Sequence, residues 1–249
     1  MRNFQRIKAM GGDIPAARAF SRKQAVFNEK AGMYARQGVI TTPGYLRLEQ
    51  LAPNSAVSTF NWQTLQTSGV QTPTERRLKL ADSFTITEIS FYLGLAAATA
   101  HIPSQDQYAQ ASLNTFPNPD TALFGANAAA LESVYNGYIS LRIDTTTFLD
   151  SIPVRQFYRV GTSQQQTLGA NSPQIHRNEW PLSMYGKTEL LPTIELNGQS
   201  NIEWSLNLPT ATNCAITGGT KAVIMTLVLT GFLNQGAATV QRQVQKQLR

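Results

Sequence analysis

The stretch 84–95, FTITEISFYLGL, decides the fold class. Phe84 and Ile86, then Ile89, Phe91, Leu93 and Leu95, alternate with polar or small residues, the period of two that suits a half-buried β-strand. The alternation slips by one at Glu88. Such a slip keeps both halves on one face only where a bulge intervenes, so the spacing predicts a bulged strand.

Working outward, Ala56–Phe60, Arg76–Ala81, Tyr138–Ile143 and Val154–Val160 are also rich in β-formers. Thr193–Leu196 and Ile202–Leu208 flank Asn197-Gly198, a strong short-range hairpin signal. Ile202, Trp204, Leu206 and Leu208 share one phase there, which assigns Trp204 to the core. Gly218-Gly219 introduces Lys221–Leu233, whose run Val223–Leu229 is apolar on both faces and predicts a strand central in its sheet. With about eight strands, no βαβ rhythm and no fixed-period repeat, the expected class is all-β, an antiparallel β-sandwich. Residues 101–135, rich in Ala, Asn, Gln and Pro, form an insertion; a short helix is expected from Pro119 and Asp120 to Val134, stopping at Asn136-Gly137. A polar loop is expected from Thr162 to Pro173.

The ends read as helices. Asp13 to Gly38 has a capping residue, a proline in the first turn and a glycine stop, with Phe20, Phe27 and Tyr34 seven apart on one face. Ala237 to Leu248 repeats Val240, Val244 and Leu248 at four-residue steps. The expected organisation is therefore a basic N-terminal arm over 1–50, a sandwich over 51–233 and a short helical C-terminal tail over 234–249.

Charged residues make up 14% of the chain, against about 25% in typical soluble domains, so much of the surface is uncharged and suited to burial against neighbours. The net charge of +6 is unevenly placed: residues 1–50 carry nine Lys or Arg against three acids, whereas 51–233 carry nine against twelve. Arg242, Lys246 and Arg249 make the tail basic too. Basic arms on a mildly acidic body suit a polyanion, nucleic acid or an anionic lipid surface, because Lys and Arg displace its counterions without a shaped pocket. The residues expected to face it are Arg2, Arg6, Lys8, Arg18, Arg22, Lys23, Lys30 and Arg36.

Catalytic chemistry has little to stand on. His101 and His176 have no ligand partner at metal-binding spacing, and none of the familiar nucleophile or phosphate-loop motifs occurs. Glu195 and Glu203 flank the Asn197-Gly198 turn and can be read as a glycosidase pair, and Asp144 and Asp150 as ligands of a hard cation. Neither reading has support beyond spacing, so no enzyme activity, cofactor or metal is expected. Cys214, the single cysteine, is expected to be a packed residue without a disulfide. Residues 1–12 lack the apolar core of a secretory signal and no N-glycosylation sequon occurs, so synthesis in the cytoplasm is expected.

The basic N-terminal arm, about eight strands, long inserted loops and a polar, weakly charged surface together resemble the jelly-roll coat proteins of icosahedral viruses and tailless phages, an architectural likeness without a defining motif. That resemblance implies a single jelly roll that self-associates into trimers, pentamers or a closed virion shell alongside other virion proteins. It also implies an arm facing genome or internal membrane, with Phe4, Phe20, Phe27 and Tyr34 anchoring it beneath a neighbouring subunit. The competing reading is a carbohydrate-binding sandwich of an adhesion or fibre protein, using Trp62 or Trp180 as a sugar platform.

Overall fold

In the computed structural model the stretch 84–95 lies within a fifteen-residue strand, Ser83–Ala97, whose inward side chains are almost wholly buried. The structure describes residues 14–35, 37–66, 71–117, 124, 127–159, 165–167, 173–175 and 186–240. Along the chain come helix α1 (Ile14–Ala35) and strands β1 (Ile40–Leu51), β2 (Ala56–Gln63) and β3 (Ser83–Ala97). Helix α2 (Gln105–Ala109), strand β4 (Ser112–Asn114) and helix α3 (Ala128–Ser133) form the insertion. Then follow β5 (Tyr138–Ile143), β6 (Thr146–Pro153), the short pair β7 (Gln165–Thr167) and β8 (Pro173–Ile175), β9 (Lys187–Asn197), β10 (Ile202–Asn213) and β11 (Lys221–Gln235).

Two antiparallel sheets form the sandwich. The first runs β1-β11-β3, with β9 and β4 sharing the far edge of β3; the second runs β2-β10-β5-β6. The pairing is nested: β1 with β11, β2 with β10, β3 with β9 and β5 with β6. A single long hairpin wrapped into two sheets gives this pattern. The inner faces meet through Phe60, Trp62, Phe84, Phe91, Trp204, Met225 and their neighbours, and the Trp62 ring N–H crosses the sandwich to donate to the Met225 carbonyl at 2.9 Å. β11 is central between β1 and β3, as its apolar faces predict.

The bulge lies where the slip places it. Thr230 pairs with Glu88 and Gly231 with Ile86, so Thr87 has no partner across β11, and its hydroxyl bonds the Thr230 carbonyl at 3.1 Å. The chains approach so closely there that a Cβ on Gly231 would sit 1.9 Å from the Thr85 carbonyl oxygen.

Five expectations change. The polar stretch expected to be a loop from Thr162 to Pro173 carries β7 and the start of β8, a short antiparallel pair. The sandwich begins at Ile40 rather than 51: Thr41-Thr42-Pro43-Gly44 reads as a turn, yet β1 is an edge strand, where proline costs no ladder bond. Arg76–Ala81 is not a regular strand; it meets β1 and residue 65 through single bridges at Arg76 and Leu78. Val154–Phe157 is a 3-10 turn, and the strand is the preceding Thr146–Pro153, whose exposed edge position leaves no alternation to read. Asn197-Gly198 joins no hairpin, because β9 pairs with β3 in the first sheet and β10 with β2 and β5 in the second. The turn is a crossing between sheets, and a Cβ on Gly198 would meet the Lys79 carbonyl at 2.2 Å.

Candidate functional site

Helix α1 covers part of the outer face of the first sheet through both ion pairs and apolar contacts. Cross-strand pairing sets Glu88 of β3 directly opposite Glu189 of β9, a like-charge pair that repels unless cations intervene. Lys23 supplies one to Glu88, and Arg22 reaches Glu189 at 3.3 Å. One helical stretch further, Lys30 bonds Glu195 at 2.6 Å, and the Tyr34 hydroxyl donates to the same carboxylate at 2.7 Å. Lys23 and Lys30 stand seven residues apart, as Phe20, Phe27 and Tyr34 do, so a basic row and an aromatic row run along the helix together.

Burial pushes the Glu195 carboxyl upward, but hydrogen bonds from Lys30 and Tyr34, the Lys30 charge and the Ser83 hydroxyl outweigh it and hold the group below the usual carboxylate range. The apolar side of the clamp is Phe27 against Phe232, with ring centroids 5.4 Å apart, and Tyr34 packed with Val39 and Ala237. Of the residues expected to face a polyanion, Arg22, Lys23 and Lys30 bond carboxylates of their own body, and of the expected subunit anchors Phe27 and Tyr34 pack on that body. Phe20 is exposed. Arg2, Phe4, Arg6, Lys8 and Arg36 lie outside the described residues, as does the side chain of Arg18.

A second constellation, not anticipated from the sequence, fixes the segment after β2. The Glu49 carboxylate accepts from Thr72 Oγ1, Thr74 Oγ1 and Arg47 Nε, at 2.6 to 2.8 Å. Glu75 accepts from the Glu49 and Thr72 amides and from Arg77 Nη2. Both carboxylates are buried and fully bonded, which makes them structural anchors of β1. The Thr-x-Thr-Glu run at 72–75 was its only signal.

The residues weighed for catalysis do not come together. Glu195 sits under α1 in the first sheet, whereas Glu203 lies exposed on the second, paired with Arg142 at 3.7 Å. Asp144 occupies the β5–β6 turn, where its carboxylate accepts from the Asn201 amide, and no metal-holding group of carboxylates, histidines and cysteines occurs among the described residues. Cys214 is buried and burial pushes its thiol up to about 11, so it is neutral at pH 7. Trp62 is buried, which removes it from any sugar platform; Trp180 and His176 lie outside the described residues. Among the described residues no helix is long and apolar enough to cross a membrane. Compared with protein-family models, curated proteins and solved structures, the chain finds no match in any of the three.

Proposed function

We propose that this chain is a structural coat protein, a single jelly roll that self-associates into a closed virion shell with its basic termini against the enclosed polyanion. The observation that carries the reading is the nested pairing of eight strands, β1 with β11 through β5 with β6, in the orders 1-11-3-9 and 2-10-5-6, with the three-residue β4 as an addition beside β9. That order is what two interlocked Greek keys produce, and it is the architecture of many shell-forming domains. A surface poor in charge and rich in amides and hydroxyls supports the same reading, since flat neutral flanks can be buried against symmetry-related copies without unpaired charge.

The docked helix sharpens the division of labour. With Arg22, Lys23 and Lys30 neutralised on the body, polyanion contact falls to Arg2, Arg6, Lys8, Arg18 and Arg36 ahead of β1 and to Arg242, Lys246 and Arg249 after β11. Light scattering of the full chain at low and high salt, with and without residues 1–13, tests the reading. Trimers, pentamers or larger particles are expected, with nucleic-acid content reduced on truncation. A monomer at every salt and concentration contradicts it.

A further inference from the structure

We infer that the body carries its own single-stranded nucleic-acid site, a groove of about 740 Å³ beside β1 built on Tyr45, Arg76 and Lys79. Its role as an inward-facing surface of a shell rests on the coat-protein reading; the binding itself does not.

The site starts from the sequence Glu75-Arg76-Arg77-Leu78-Lys79, the densest cationic run of the otherwise acidic body. Arg47 and Arg76 exchange both backbone hydrogen bonds, at 3.0 and 2.9 Å, so the run lies antiparallel along the free edge of β1. Leu78 is buried and Arg77 turns inward to Glu75 at 2.7 Å, while Arg76 and Lys79 point to solvent. The buried Glu49 and Glu75 anchors hold this backbone, so the two cations are presented on a fixed frame rather than a loose loop.

Charge in the groove does not cancel. Glu75 is closed by Arg77, and the one remaining carboxylate, Asp82, which accepts from the Gly236 amide at 2.9 Å, stands against the two cations Arg76 and Lys79. Neither Arg76 nor Lys79 has a carboxylate partner among the described residues. The Arg76 guanidinium lies over the Tyr45 ring at 5.4 Å, and Tyr45 is 48% exposed. A planar cation on an accessible aromatic is a surface on which a base stacks, with the guanidinium edge and the Lys79 ammonium left for phosphates. The amides of Gln71 and Gln235 line the same groove and can meet base edges.

The Ala238 amide bonds the Ala81 carbonyl at 3.1 Å, which fixes the turn after Lys79 against the residues that follow β11. An anionic bilayer would meet the charges on any open face, whereas an aromatic–guanidinium stack set in a groove fits a single base ring, which favours an unpaired nucleic-acid strand as the occupant.

The test is binding of a fluorescein-labelled oligothymidylate, about 20 nucleotides long, to the full chain across a salt series. The variant Tyr45→Ala/Arg76→Gln/Lys79→Gln is compared with Arg142→Gln/Arg155→Gln, which removes the same charge from exposed positions elsewhere. The groove variant is expected to bind about tenfold more weakly and with a shallower salt slope, the control within about twofold. Equal losses, or none, overturn the site and leave binding to the termini. Wild-type chain irradiated with a bromodeoxyuridine oligomer provides a measurement that needs no variant: an adduct at Tyr45 is expected, and adducts confined to residues outside 40–82 overturn the site. If the groove variant loses phosphatidylglycerol vesicles while keeping the oligomer, the occupant is lipid and the inference fails. Light scattering of the same proteins separates the two readings, because a chain that never assembles but still binds at the groove defeats only the coat-protein proposal.

Discussion

The two outer faces of the sandwich are built from similar residues and treated very differently. On the first sheet Ser83, Thr85, Glu88 and Asn234 are all buried, and Asn234 donates to Ser83 at 3.2 Å and Thr85 at 3.3 Å while Ser83 donates to Glu195. On the second, Thr59, Asn61, Gln63 and Glu203 are exposed, and the Ser140 and Ser205 hydroxyls meet at 2.7 Å beside water. What separates them is helix α1. A polar group under a cover must keep its partner or bear its full desolvation cost, whereas one in water exchanges partners almost freely. The part of the first face under α1 is therefore committed to its own chain, whereas the second face stays open to solvent.

The largest expected contrast is between two tyrosines. Tyr34→Ala empties a buried site and removes a bond to Glu195, and is expected to cost about 3–5 kcal/mol in urea unfolding. Tyr138→Ala, on the exposed face, should change stability by about 0.5 kcal/mol or less. A similar cost for both would mean that α1 is not docked as described.

Next come two glutamates. Glu195→Gln leaves Lys30 without its carboxylate under the helix and should cost about 1–3 kcal/mol, against almost nothing for Glu203→Gln. The same residue gives a pH signature. Its folded carboxyl titrates below the ordinary range, so on acidification the unfolded chain takes up this proton first. The stabilisation is complete above the ordinary carboxylate range and disappears as pH falls through the lower folded value. Urea midpoints from about pH 6 to pH 3 should fall less steeply in Glu195→Gln than in the wild type. The smallest effect is at the exposed Arg142–Glu203 pair, where Arg142→Ala should shift stability by about 0.5 kcal/mol or less and raised salt should erase even that.

Most of the strand inventory was legible because burial on one face leaves a period of two. β3 announced even its bulge, since Thr87 is an extra residue in an otherwise strict alternation. Edge strands were harder. β6 faces water along most of its length and β1 contains Pro43, so neither carries the pattern or the composition of a central strand. The Asn197-Gly198 turn was visible but its consequence was not, because a local signal states that the chain reverses and says nothing about which sheet receives the next strand. The helix was legible in extent and in its aromatic spacing, yet the carboxylates that hold it come from residues 88, 189 and 195, a separation no local pattern reveals. The same is true of the Tyr45–Arg76 stack, whose partners meet only because residues 75–79 return to the edge of β1.

Imaging the purified full-length chain by electron cryomicroscopy tests the coat-protein proposal most directly. Closed particles of uniform diameter, with the sandwich as repeating unit and α1 seated on its first sheet, are the predicted result. A monodisperse monomer under conditions that keep Glu195 ionised and the fold intact would contradict it.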